Sequence, residues 1–139
     1  MLVQDASFAK LPKAAPYEFE SRLEAMPPLT GDTRTDFTTL RAYVEGVHRA
    51  GGSGRTVVRL LSAAMDRIVA AIWERSLATA AANQAPTPVA LVALGGYGRR
   101  ELAPFSDLDL LVLHERREPG PFVKEASEKF LYALWDLRL

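Results

Sequence analysis

Two short apolar runs, "VALVAL" at 89–94 and "DLDLLVLH" at 107–114, stand 12 residues apart around the stretch "GGYGRRELAPFS". The first is rich in valine and reads as a buried strand. The second has apolar residues on both faces, as expected for a strand in the middle of a sheet. Between them, Gly95 and Gly96 end the first strand, and "YGRREL" has room for a turn or two of helix before Pro104. The chain can then return to the neighbouring strand. This arrangement puts two aspartates, Asp107 and Asp109, at the mouth of an apolar run. Such a pair is costly to bury unless something positive sits between the carboxylates.

The rest of the chain divides around this centre. Residues 1–36 are rich in proline, threonine and scattered charge, with "AMPPLTGDTRTD" the clearest irregular stretch, and are expected to form an extended lead-in. Residues 37–86 are expected to be helical. Leu40, Tyr43, Val44 and Val47 mark one helix that stops at "RAGGSG". Val57, Leu61, Ala64, Met65, Ile68 and Ile72 recur every three or four residues and mark a second, from about Arg55 to Ala82. Residues 87–139 then hold the two strands and a closing helix that starts near Pro121, with Phe122, Ala126, Phe130, Leu134 and Leu137 on its apolar face. At 139 residues and 48% hydrophobic content, the chain has enough apolar sequence for one core. No internal repeat or low-complexity tract interrupts it.

Seventeen basic residues balance seventeen acidic ones, so no global field favours nucleic acid or a membrane surface, and neither is expected as a partner. An anion would have to be held locally. The absence of cysteine excludes disulfides and thiolate metal sites. The amino-terminal stretch has no uninterrupted apolar core of the kind a secretory leader needs, and no run approaches the roughly 20 apolar residues of a membrane span. A cytoplasmic protein is the expectation.

Side chains alternate along a strand, so Asp107 and Asp109 are expected on one face with Cα atoms roughly 6.6 Å apart, at about 3.3 Å per residue. Two carboxylates that close repel, and a cation relieves the repulsion. Hard oxygen ligands of this kind favour Mg²⁺ or Mn²⁺, which keep part of their water and take substrate phosphates as further ligands. Gly95 and Gly96 supply the complementary half, because exposed backbone N–H groups at a helix start can meet a phosphate with no side chain in the way. Arg99 and Arg100 can add charge to those phosphates. Ser106 reads either as a plain turn residue or as a minor support of the metal carboxylates. Competing motifs fail on their details: the dinucleotide fingerprint lacks its third glycine, the Gly-Lys-Ser/Thr loop is absent, and a calcium loop starting at Asp107 would meet Leu111 and Val112 where it needs an acid or amide and a glycine.

"GG" followed by "SDLDLLVL" resembles the signature of the DNA-polymerase-beta-type nucleotidyltransferase superfamily, and "GGYGRRELAPFSDLDLL" is closely similar to the PII uridylyltransferases. A looser likeness covers about residues 40–139. The resemblance implies an α/β (α+β) fold, a small mixed sheet with flanking helices in the polymerase-beta-like arrangement, incomplete at the carboxy terminus. It implies transfer of a uridylyl group from UTP to a tyrosine of a PII nitrogen-signalling protein. Gly95 and Gly96, joined by Arg99 and Ser106, would bind the nucleotide, and Asp107 and Asp109 would bind the catalytic metals, Mg²⁺ or Mn²⁺. Members of the family carry a third acidic residue on a later strand, then phosphohydrolase and ligand-sensing domains, and all of these are expected beyond Leu139. The segment 87–139 is therefore expected to be the first part of a nucleotidyltransferase domain.

Plainer readings stand beside these. Asp107 can cap a turn while Asp109 pairs with an arginine, the glycines can form an ordinary tight turn, and Arg99 and Arg100 can be solvated charges. His48 and His114 have no partners at metal spacing and receive no role. Trp73, Phe130, Tyr132 and Trp135 are expected in the core or at an interface. A transferase using ATP on another acceptor, or a catalytically silent interaction module, are the alternatives to the uridylyltransferase reading.

Overall fold

The computed structural model of the protein describes residues 18–139. Its elements are α1 (Glu18–Glu24), α2 (Thr33–Arg49), α3 (Gly54–Asn83), β1 (Val89–Ala93), α4 (Gly95–Gly98), β2 (Leu110–His114) and α5 (Pro121–Leu137). The 30-residue α3 is the axis of the molecule. Leu60, Ala64, Met65 and Ile68 on it are at most 2% exposed, with Leu40, Val44 and Val47 of α2 and Phe122, Ala126, Phe130 and Leu134 of α5 completing the core. Trp73 meets Phe130 edge to face at 5.3 Å. Burial of each large apolar side chain stabilises the fold by about 1.5–3 kcal/mol, so the α2, α3 and α5 seams hold the site's scaffold.

The helix boundaries follow from caps. Ser53 accepts the Thr56 amide at the start of α3, and the amides of Ala50, Gly51 and Gly52 bond back to carbonyls of α2 at its end. The lead-in expected over 1–36 falls outside the described residues as far as 17, and beyond that only 25–32 is without helix or strand. Glu18–Glu24 is helical, and α2 begins at Thr33 rather than at Phe37. The reason is a pair of aspartates. Asp32 accepts the Thr35 amide as the N-cap, and the buried Asp36 carboxylate takes the Thr30 amide at 2.8 Å, the Thr30 hydroxyl at 2.7 Å and the Gly31 amide at 3.1 Å. Those bonds draw the threonine-rich stretch onto the helix start.

The mixed sheet expected from the sequence is, among the described residues, a two-stranded antiparallel sheet. Leu91 pairs with Val112 and Ala93 with Leu110, and these residues pack on the helical core. Leu111 and Leu113, on the opposite face, are 45% and 56% exposed, so the expected burial of both faces is not found. Tyr132 and Trp135 are likewise exposed and meet edge to face at 5.7 Å, whereas Trp73 and Phe130 are core residues. No described helix is long and apolar enough to cross a membrane.

Candidate functional site

The end of β1 and the start of β2 form the site. The last rung of the sheet is the Leu94 amide donating to the Asp109 carbonyl at 2.8 Å. Gly95 then takes φ +57°, in the left-handed region that a side chain disfavours, and turns the chain out of the sheet into α4. β1 ends at Ala93, and beyond the single bond from Leu94 to the Asp109 carbonyl the chain turns away, so 107–109 are not strand and β2 begins at Leu110 and not at Asp107. The two aspartates thus precede the sheet rather than lie in it. Both are exposed at its end.

Gly95 and Asp109 touch. A Cβ built on Gly95 would collide with the Asp109 carboxylate, so the carboxylate occupies the space that a side chain would need. A Cβ on Gly96 would meet only the Glu101 carbonyl at 3.5 Å, an ordinary contact. The sequence gives the two glycines one role, and the structure separates them. Gly98 is constrained for another reason: its Cβ would lie 2.5 Å from the Ala93 carbonyl, so α4 folds back tightly over the strand it leaves. The amides of Gly95, Gly96 and Tyr97 form the first turn of α4 and have no carbonyl one turn back within it.

Asp107 lies in the loop before β2, beside Ser106, whose hydroxyl donates to the Ala103 carbonyl at 2.9 Å and closes a turn. The ion pairs among the described residues are Arg49 with Glu45 and Arg99 with Glu101, so no arginine neutralises Asp107 or Asp109. The reading in which Asp109 pairs with an arginine therefore has no support. Arg99, expected to face a phosphate, is exposed and holds Glu101 at 3.2 Å. Arg100 takes φ +59° and makes no ion pair among the described residues. No group of three His, Cys, Asp or Glu side chains that could hold a metal is found among the described residues, so a cation at this site would take two carboxylates from the chain.

Two supports are absent from the sequence reading. Ser62, fully buried on α3, donates to the Val58 carbonyl and accepts the Leu102 amide at 3.1 Å, which anchors the segment between α4 and Asp107. A lone serine in a long helix gives no pattern that announces this. Tyr97 is the buried side chain of α4. Burial holds its phenol well above the usual value, and the Asp66 carboxylate pushes the same way, so it stays neutral and acts as a plug beneath the turn.

A family model described as "Putative nucleotidyltransferase DUF294" matches residues 38–137, most of the chain and all of this site. The chain belongs to this nucleotidyltransferase family. Among curated relatives of this DUF294 chain, the bifunctional uridylyltransferase/uridylyl-removing enzyme of Caulobacter vibrioides (strain NA1000 / CB15N) is 41% identical over 90 residues, covering 63% of this chain and 10% of that protein. The protein of the same name from Azospirillum brasilense is 38% identical over 116 residues, covering 81% of this chain and 12% of its own length. That from Vibrio vulnificus (strain YJ016) is 55% identical over 51 residues, 37% of this chain and 6% of the relative. The DUF294 chain thus spans about a tenth of the length of the curated relatives it matches. No solved structure matches it.

Proposed function

We propose that this chain carries the nucleotide-binding part of a metal-dependent uridylyltransferase, which in the complete enzyme moves UMP from UTP to a tyrosine of a PII nitrogen-signalling protein in the cytoplasm. The observation that supports it best is the Asp109 carboxylate seated against Gly95, beside the open first-turn amides of α4. Among the described residues Asp107 and Asp109 have no ion-pair partner, and their hard oxygens suit Mg²⁺ or Mn²⁺. The names of the relatives support the uridylyl group.

In this reading Asp107 and Asp109 hold the metal, and the amides of Gly95 and Gly96 receive phosphate oxygens with no side chain in the way. When bound, the metal supplies charge to the α-phosphate and lowers the barrier to attack by the acceptor hydroxyl. The acceptor hydroxyl gives its proton to solvent as its oxygen bonds to the α-phosphorus, the bond from that phosphorus to the oxygen shared with the β-phosphate breaks, and pyrophosphate leaves with that oxygen. Ser106 keeps the loop turned so that Asp107 remains at the sheet end. Nucleotide titrations with and without Mg²⁺ test the reading. Metal-dependent binding of UTP in preference to ATP supports it; a preference for ATP supports a related transferase, and no binding by a folded chain leaves an interaction module. The exposed Leu111, Leu113, Tyr132 and Trp135 are the observation that favours that last reading.

A further inference from the structure

The loop before Asp107 leans on α2 through one arginine. The Arg41 guanidinium lies 5.5 Å from the centre of the Phe37 ring and 5.6 Å from that of Phe105. Phe105 is 93% exposed and takes φ +66°, a strained conformation for a bulky residue. Its contact with Arg41 is the interaction that gives this exposed ring a place. The two rings flank the guanidinium through cation–π contacts, while Arg41 makes no ion pair or hydrogen bond among the described residues.

Arg41 also lines a cavity of about 240 Å³ that takes in Phe105, Ser106, Asp107 and Arg138. Asp107 is the one acidic side chain in that lining, against two guanidinium groups. A guanidinium offers five donors and no acceptor, in a planar fork that matches phosphate oxygens. Two such groups against one carboxylate favour an anionic ligand rich in acceptors. Arg99 has Glu101 as its partner, and Arg100 lies outside this cavity. Arg41, 66 positions before Asp107 in the chain, is an open cation that the fold brings into the same cavity lining.

We propose that Arg41, with Arg138 beside it, binds the terminal phosphates of the nucleoside triphosphate and the pyrophosphate released from it. The proposal rests on the reading of Asp107 and Asp109 as a metal–nucleotide site. Calorimetric titration of the full chain with Mg²⁺ and UTP, pyrophosphate or UMP separates the two. Arg41→Ala should weaken UTP and pyrophosphate by about tenfold to a hundredfold, the range for losing a charge-assisted contact, and leave UMP within about twofold. Arg41→Lys should recover part of the loss, because it restores the charge without the fork. If Arg41→Ala binds UTP and pyrophosphate like the parent, while Asp107→Asn with Asp109→Asn abolishes both, the proposal is overturned and the metal reading stands. Equal weakening of UTP and UMP would also overturn it, since Arg41 would then only shape the loop. No Mg²⁺-dependent binding of any of the three by the parent chain would remove the metal reading and this proposal together.

Discussion

Gly95→Ala and Gly96→Ala differ by one position in the same "GG" pair, yet the structure sets them far apart. At Gly95 a methyl group must adopt φ +57° and displace the Asp109 carboxylate. The left-handed conformation alone costs about 1–2 kcal/mol for a residue with a Cβ. For a chain of this size that lowers the melting temperature by about 3–8 °C. The displaced carboxylate should also abolish Mg²⁺-dependent nucleotide binding, an effect larger than the loss of stability explains. At Gly96 the backbone is not left-handed, and the new methyl group meets one carbonyl at ordinary distance, so stability should change by less than about 0.5 kcal/mol. Thermal denaturation followed by nucleotide titration on each variant measures both effects. If the two variants melt and bind alike, the contact between Gly95 and Asp109 is not what organises this site.

Other perturbations reach the scaffold. Ser62→Ala removes the acceptor of the buried Leu102 amide, and the unsatisfied amide should cost about 1–3 kcal/mol in denaturant unfolding; an unchanged midpoint would mean that the loop is not anchored there. Asp36 has its carboxyl held below the usual carboxylate range, first by the Thr30 amide and then by the Thr30 hydroxyl. Because the folded state depresses this value, its contribution is present above the unfolded value near 3.8 and is lost as the pH falls through the lower folded value. The melting-temperature gap between the parent and Asp36→Asn should therefore be full near neutral pH and narrow below pH about 4, whereas a constant gap would show that the charged carboxylate is not the cause.

Periodicity made α3 and α5 legible, because a long apolar stripe has few other ways to be buried. The glycine pair and the strand after it placed the turn. What the sequence left open depends on contacts between distant residues. The start of β2 is set by where β1 ends, at Ala93, before the chain turns out of the sheet at Gly95, so Asp107 and Asp109 fall outside the strand although their alternation suits one. Asp36 looks like a surface charge in a polar stretch until its three donors from Thr30 and Gly31 are in place. Arg99 is legible as a cation near the glycines, but its pairing with Glu101 depends on the path of the turn after α4. Arg41 stands on a helix 66 positions before Asp107, and no local pattern points from one to the other. The two halves of the site are thus readable as types, and their assembly as tertiary fact.

In the proposed function Asp107 and Asp109 hold a divalent cation together with a nucleotide. Mn²⁺ binding, followed by electron paramagnetic resonance of the free ion with and without UTP, tests it most directly. UTP should tighten Mn²⁺ binding to the parent chain beyond what UTP binds alone, and Asp107→Asn with Asp109→Asn should abolish the added binding while the melting curve stays close to that of the parent. Equal Mn²⁺ binding by a folded double variant would contradict it.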